Sequence, residues 1–411
     1  MRASLIVVAF YHLIQLSVAL NNGLAKKPPM GWNSWVRFLC ETDCVQNPNT
    51  CISSKLYQTM ADFLIEEGYT DVGYTSVNVD DCWMSDARNK EGTLPANQTR
   101  FPDGILALAE FMHNRNLTFG IYQTVDTLTC QKYPGSFGHF KKDAETFAKW
   151  HVDYLKLDSC GLNGTLMPRA YKTMGKALNH TSRPILYSCS WPLGMLDKYS
   201  ELINYTEIAA YCNTWRNYYD VLPEWDTILR IIDWYTLQQN TLAAVHGPGA
   251  WNDPDMIVVG NPGLTDDQAR VQMTLWSIWS APLIMSNDLR LVTASQKAIL
   301  TNKDVIAIDQ DELANFGKHL FFLDGFDVYR KNVTPVNAQE TSLAFGILNR
   351  YNKSRPFHAP ISILGMRSEK GYHVKDLWAG TDLGLFKGEE NISFSVPATG
   401  ITFIKAELDN R

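Results

Sequence analysis

Residues 152–160 read VDYLKLDSC, a strand pattern that carries a lysine in its middle and runs into an aspartate. Side chains alternate between the faces of a strand, so Tyr154, Lys156 and Asp158 point one way while Leu155 and Leu157 point the other. A parallel strand covered on both faces is ordinarily apolar throughout. A lysine and an aspartate on an interior face are costly unless they are paired or used. The pattern therefore asks for a fold whose strands pack apolar side chains outward and open at one end onto a polar interior. Asp158 stands at the C-terminal end of the strand, where open α/β sheets and barrels place their chemistry. A buried Lys–Asp pair with no catalytic part satisfies the same pattern, so the rest of the chain must decide between the two.

Comparable β-rich runs occur at 29–33, 74–79, 117–122, 152–158, 184–188, 208–212, 250–255 and 282–285. Helical periodicity lies between most of them, at 52–67, 105–114, 142–151, 169–178, 225–239 and 268–278. Strand–helix alternation repeated in this way predicts an α/β fold, a (β/α)8 TIM barrel. Right-handed crossovers then bring all the strand ends to one rim. Beyond residue 316 the texture changes. Runs at 319–329, 342–351, 360–364, 372–378 and 392–408 read as strands separated by turn residues, with no cysteine among them. The expected organisation is a catalytic barrel over 20–316 and a C-terminal antiparallel β-sandwich domain over 317–411, the latter structural rather than reactive.

The first residues, MRASLIVVAFYHLIQLSVAL, place one arginine before an apolar run and small residues at Ser17 and Ala19. That is the pattern of a signal peptide over 1–19, too short to favour a membrane span, and no later run is apolar enough to cross a bilayer. A secretory route makes the eight cysteines disulfide candidates, with Cys44 and Cys51 close enough for a local loop. Sequons stand at Asn97, Asn116, Asn163, Asn179, Asn204, Asn332, Asn352 and Asn391, and all but Asn116 are retained as glycosylation candidates. A formal net charge of −6 argues against nucleic acid as a partner. Stacking platforms for a sugar ring would draw on residues such as the twelve tryptophans, though a large core explains most of them.

The strand ends collect Asp80, Asp81, Asp158, Asp220, Asp253 and Asp255, together with Lys156 and Arg216. Carboxylates facing across a pocket, without a His/Cys ligand cluster, suit acid–base and nucleophilic work on acetals. Metal-assisted hydrolysis is the competing reading, with Asp80 and Asp81 or Asp253 and Asp255 as ligands; the nine histidines do not cluster near these ends. Neither a dinucleotide nor a Walker phosphate loop is present. No cofactor and no metal are expected.

The motifs LNNGLAKKPPMGWNSW, VDDCW, YLKLDSC, CSWP, WRNYYD and GPGAWNDPDM follow one another in this order. Together they resemble the α-galactosidase/α-N-acetylgalactosaminidase (melibiase) family of retaining glycoside hydrolases, including its lysosomal members. The resemblance implies Asp158 as nucleophile and Asp220 as acid/base, with Asp80 and Asp81 on the 4- and 6-hydroxyls of galactose. It implies that Lys156 and Arg216 bind sugar hydroxyls and that Trp35, Tyr122, Asp255 and Met256 line the pocket. It also implies the pairs Cys40–Cys82, Cys44–Cys51, Cys130–Cys160 and Cys189–Cys212, a homodimer, and a lysosomal or secreted location. Members that take galactose carry a glutamate and a leucine around the CSWP motif, and members that take N-acetylgalactosamine a serine and an alanine. This chain has Ser190 and Leu193, a mixture, with Gly194 where a tyrosine is usual and apparent extra room beside it. Thr124 and Asp126 also depart from the family pattern. The implied activity is removal of terminal α-linked N-acetylgalactosamine, galactose or both from glycolipids, glycopeptides and oligosaccharides, with Ser190 favouring the N-acetyl sugar. A strict α-galactosidase and a non-catalytic sugar-binding relative are the alternatives.

Overall fold

The computed structural model describes residues 20–338 and 340–409; the expected signal peptide at 1–19 lies outside them. Eight short parallel strands form the first sheet: β1 Met30–Asn33, β2 Ser76–Asn78, β3 Thr118–Thr124, β4 Tyr154–Asp158, β5 Leu186–Cys189, β6 Thr214–Arg216, β7 Trp251–Asp253 and β8 Leu283–Met285. They pair in the order β7-β6-β5-β4-β3-β2-β1-β8. The chain just past β7 closes the ring: Ile257 bridges Met285 in parallel, its N–H donating to Ile284 O at 2.8 Å. The result is the (β/α)8 barrel that strand–helix alternation predicts.

Helices cover the outside because each carries an apolar stripe. In Ser54–Glu66, Leu56, Tyr57, Met60, Ala61 and Leu64 recur at three- and four-residue spacing and are buried, and Ser53 caps the first turn from its side chain. Asp266–Ile278 differs. It opens with a reciprocal capping box of Thr265 and Gln268, and every residue from Val271 to Ile278 is buried. A helix is buried all round only when both of its sides are covered. Here the barrel covers one side and the C-terminal strands the other.

Those strands are β9 Lys318–Leu323, β10 Phe326–Asn337, β11 Glu340–Asn349, β12 Arg355–Pro360, β13 Tyr372–Asp376, β14 Asp382–Phe386, β15 Asn391–Val396 and β16 Gly400–Leu408. Six form an antiparallel sheet, β14-β13-β16-β11-β10-β9, and β12 and β15 form a second ladder. Phe326, Phe345, Phe357, Ile392 and Ile404 share the core between them. Toward the barrel, buried Lys331 donates to Ser277 O at 3.0 Å and to Ser280 Oγ at 2.6 Å. It meets the carbonyl end of the Asp266–Ile278 helix, where a helix favours a cation.

Several elements differ from expectation. Residues 208–212 do not form the sixth strand; Tyr205–Ala209 is a helix, capped by Asn204 through Glu207 N, and β6 begins at Thr214. The apolar pair at 208–209 fits either period, and the cap decides. The run 319–329 is a hairpin turned at Asp324 and Gly325, both at positive φ, and 392–408 is broken into β15 and β16, which lie in different sheets. Part of 360–364 is a short helix, Ile361–Leu364, ended by Gly365 in the left-handed region.

Candidate active site

The inner face of β4 behaves as its alternation requires. Leu155 and Leu157 are fully buried, toward the helices. Lys156 lies level with Tyr122 on β3 and Ser188 on β5, and Asp158 lies level with Thr124. Residues level with one another in a parallel sheet share a face, so these side chains gather at one mouth of the barrel.

Two charged groups meet there. In the first, Lys156 Nζ donates to Asp80 Oδ2 at 2.7 Å, and Asn33 Nδ2 donates to the same oxygen at 2.9 Å. Burial would draw the lysine down, but Asp80 and then Asp158 outweigh it and hold it firmly cationic. Lys156 also lies over the Tyr122 ring, 5.2 Å from its centroid. Tyr122 OH in turn donates to Asp158 Oδ2 at 3.1 Å, and Ser159 N–H donates to Asp158 Oδ1 at 2.9 Å. Asp158 therefore has a hydrogen bond on each oxygen and a fixed cation nearby, which together orient the carboxylate.

In the second group, Arg216 Nη2 donates to Asp220 Oδ1 at 2.9 Å and Arg216 Nη1 pairs with Asp255 Oδ1 at 2.8 Å. Asp253 adds its charge, so three carboxylates share one buried guanidinium. Burial raises Asp255 despite Arg216. Burial would raise Asp220 as well, but Arg216 and then Lys156 hold it below the usual carboxylate range. The Asp220 side chain stays open, 59% exposed, whereas that of Asp255 is 4% exposed. Of the two carboxyls on Arg216, Asp220 is thus the one that can reach a leaving group. Of the four carboxylates considered as metal ligands, Asp80 in one group and Asp253 and Asp255 in the other each face a cation.

Asp81 sits beneath. It is fully buried, and its oxygens accept Cys82 N–H at 2.6 Å and Gln131 N–H at 3.0 Å. Burial pushes it up to about 6. It ties the β2 loop to the β3 loop, a positioning task not visible in the VDDCW motif. Met256 is buried with Asp255 in the floor, and half-buried Trp35 begins the helix after β1, its N–H on Asn33 Oδ1 at 2.8 Å.

Four disulfides join Cys40–Cys82, Cys44–Cys51, Cys130–Cys160 and Cys189–Cys212, with Cα–Cα separations of 5.6, 5.1, 5.2 and 6.1 Å. Cys130–Cys160 lies against the Asp158 carboxyl, with Tyr122 OH 3.3 Å from Cys130 Sγ. Asp126, which departs from the family pattern, accepts Cys160 N–H at 2.7 Å and braces the same loop. Cys160→Ser is expected to lower activity and to cost about 2–5 kcal/mol of stability. Denaturant unfolding of the purified variant measures it, and a free thiol at Cys130 or Cys160 in peptide maps of the wild type would refute the pairing.

A cleft of ≈660 Å³ opens beside these groups, lined by Ser159, Leu162, Leu193, Gly194, Tyr219 and Asp220 among others. Ser190, by contrast, is only 1% exposed, beneath the start of the Trp191–Met195 helix, while Leu193 is half-buried and faces the cleft. The space expected beside Gly194 is filled. A Cβ there would lie 2.9 Å from Met167 Cε and 3.0 Å from Ser159 Oγ, so the glycine serves a close helix contact rather than an opening.

Sequence reasoning passed over Asn33 and Asp126 as site residues. The signal for Asn33 was present, since an asparagine at the end of a buried strand needs a partner. Asp126 pairs across 34 residues with a backbone N–H, which no local pattern announces. The sequons at Asn163 and Asn204 have visible local roles: each side chain caps a helical segment.

The chain matches a family model described as alpha galactosidase A over residues 27–311, and one described as the alpha galactosidase C-terminal beta sandwich domain over 333–406. It is 45% identical to human alpha-galactosidase A over 349 residues, 85% of this chain and 80% of the relative. It is 41% identical to chicken alpha-N-acetylgalactosaminidase over 386 residues, 93% of this chain and 94% of the relative. Among solved structures it is similar to alpha-galactosidase I from Mortierella vinacea, with TM-score 0.81 and 31% identity over 94% of this chain and 98% of that one.

Proposed function

This chain belongs to the α-galactosidase family of glycoside hydrolases, and from that premise we propose a retaining double displacement with Asp158 as nucleophile and Asp220 as acid/base. The observation that carries the reading is the division of labour between two cations. Tyr122, lying under the Lys156 cation, aims Asp158, while Arg216 holds an otherwise open Asp220 at the rim. Asp158 attacks the anomeric carbon as Asp220 protonates the departing oxygen; water then cleaves the glycosyl-enzyme with Asp220 as base. Asp80, fixed by Lys156 and Asn33, and Asp81 below it offer acceptors to the 4- and 6-hydroxyls, the axial 4-hydroxyl being what separates galactose from glucose. Retention calls for carboxyls about 5–5.5 Å apart. Product anomer followed by NMR tests it, and an inverted first product rejects the mechanism.

The sugar preference follows from the 2-position. A serine at 190 leaves no carboxylate to grip a 2-hydroxyl, which supports acceptance of an acetamido group. Leu193 on the cleft wall opposes the acetamido methyl. Hydrolysis of both N-acetylgalactosaminides and galactosides, the former at least as well, is the reading these residues support. Parallel kinetics on paired nitrophenyl substrates decide it. Leu193→Ala is expected to shift the preference toward the N-acetyl sugar by ~1–3 kcal/mol through relief of crowding, and Ser190→Glu to reverse it. Turnover of galactosides alone, unmoved by Leu193→Ala, would refute this assignment.

The disulfides suit an oxidising compartment, and no helix of the described residues is long and apolar enough to cross a membrane. A lysosomal or secreted homodimer, glycosylated at several of the sequons, is the setting we propose. Terminal α-linked sugars on glycolipids, glycopeptides and oligosaccharides are its substrate class.

A further inference from the structure

Asp158 is the last residue of β4, and the chain beyond it has left the sheet. Strands β3 and β4 pair in register up to Thr124 and Asp158, and Val125 N–H donates to Asp158 O at 2.9 Å. Parallel ladders repeat their bonds at even spacing, so the next donor, Cys160 N–H, is due at the Val125 carbonyl. It goes to a side chain instead: Asp126 Oδ2 accepts it at 2.7 Å. One carboxylate thus carries the ladder a step past the end of both strands. The turn it holds, Asp158-Ser159-Cys160, is the one whose Ser159 N–H donates to Asp158 Oδ1 at 2.9 Å.

Asp126 is itself firmly seated. Its carbonyl accepts Phe137 N–H at 3.0 Å, and the Thr124 carbonyl accepts Ser136 N–H at 3.1 Å. Gly135 lies so close across this turn that a Cβ there would stand 2.1 Å from Asp126 O. The residue is only 6% exposed. Burial, and more weakly the charge of Asp158, raise its carboxyl against the pull of the Cys160, Leu162 and Gly161 N–H groups. Only Cys160 closes a full hydrogen bond, and Oδ1 is buried without one. A buried, half-satisfied carboxylate is costly, so stability alone does not ask for it. Position 126 also departs from the family pattern, which makes the contact particular to this chain.

We propose that Asp126 is a positioning residue for the nucleophile: its carboxylate oxygen stands in for the Val125 carbonyl and keeps Asp158 aimed at the anomeric carbon. The proposal rests on the glycosidase reading above. Asp126 acts through the backbone of the turn and not by touching the sugar. What the turn needs is an acceptor at that point, so an amide serves in its place and a methyl group does not.

The test measures kcat/KM on nitrophenyl α-galactoside and the inhibition constant of free galactose, with enzyme counted as galactose-binding sites by calorimetric titration. Counting sites removes any loss to misfolded protein. Asp126→Ala is expected to lower kcat/KM by ~10-fold or more, as a slightly displaced nucleophile does, while galactose binds within ~2-fold of wild type. Asp126→Asn keeps an acceptor for Cys160 N–H and is expected to recover most of the loss. A merely structural role leaves kcat/KM per site unchanged in the alanine variant, and that result overturns the proposal. So does an equal loss in the alanine and asparagine variants, or a fall matched by weaker galactose binding. Where the alanine variant yields no galactose-binding protein, Asp126→Ser, too short to reach Cys160 N–H, is read in its place. A wild-type protein that binds galactose without hydrolysing the galactoside overturns the glycosidase reading and this proposal with it, whereas the other failures leave that reading standing.

Discussion

Asp158→Asn is expected to cut turnover of α-galactosides by ~10⁴-fold or more while the protein folds and binds galactose much as before. The amide keeps the volume of the carboxylate; its oxygen can still accept from Ser159 N–H while its NH2 donates to the Tyr122 hydroxyl oxygen, so little of the surrounding packing is disturbed. What it lacks is the negative charge that attacks the anomeric carbon. A sharper form of the experiment removes the side chain. In Asp158→Gly, azide can enter the vacated face, attack once, and leave with the sugar as a β-glycosyl azide, the inverted product of a single displacement. NMR identifies the anomer directly. An Asp158→Asn protein retaining more than ~1% of wild-type turnover would remove Asp158 from the chemistry. An α-azide from the glycine variant would place the nucleophile elsewhere.

The second large effect is expected at Asp220, and it depends on the substrate. Asp220→Asn should slow hydrolysis of alkyl and sugar glycosides by ~10²–10⁴-fold, the usual worth of a positioned general acid. Glycosides with an acidic leaving group need no proton in the first step and should lose far less there. The pH dependence follows from the site. Burial acts to raise Asp220, but Arg216 and Lys156 prevail and hold it below the ordinary carboxylate range, by an amount its open side chain moderates through solvent screening. Only the protonated form can give its proton to the departing oxygen. A lowered pKa moves the loss of that form to lower pH, so kcat/KM on unactivated glycosides should fall as pH rises from the acid side. The limb should vanish in Asp220→Asn. A wild-type profile flat from acid to neutral pH, or an equal loss on both leaving-group classes, would mean that another group supplies the proton.

Much of this was written in the order of residues. The alternation at 154–158 placed Lys156 and Asp158 on one face and two leucines on the other, and the barrel shows that arrangement. Periods of 2 and 3.6 residues separated strands from helices wherever a run was long, as in Ser54–Glu66 or Asp266–Ile278. Short runs failed. The pair Ile208–Ala209 fits a strand or a helix equally, and the cap from Asn204 settled it. The stretch 319–329 read as one strand because its apolar residues continue through a two-residue turn.

The sequence by itself determined that charged and carboxylate side chains would end strands of an α/β barrel, because local alternation and strand–helix order decide which way a side chain points and at which rim it arrives. Only the tertiary structure decided what each one meets there. Lys156 from the middle of β4 and Asn33 from the end of β1 converge on a single oxygen of Asp80, just past β2. Arg216 divides itself between Asp255 and Asp220, burying one and leaving the other open. Ser190 sinks under its helix while Leu193, three residues on, faces the cleft, and Met167 fills the space beside Gly194. Such contacts join residues far apart in the chain at separations near 3 Å, and their geometry comes from the register of neighbouring strands and the packing of loops, neither of which a local pattern encodes.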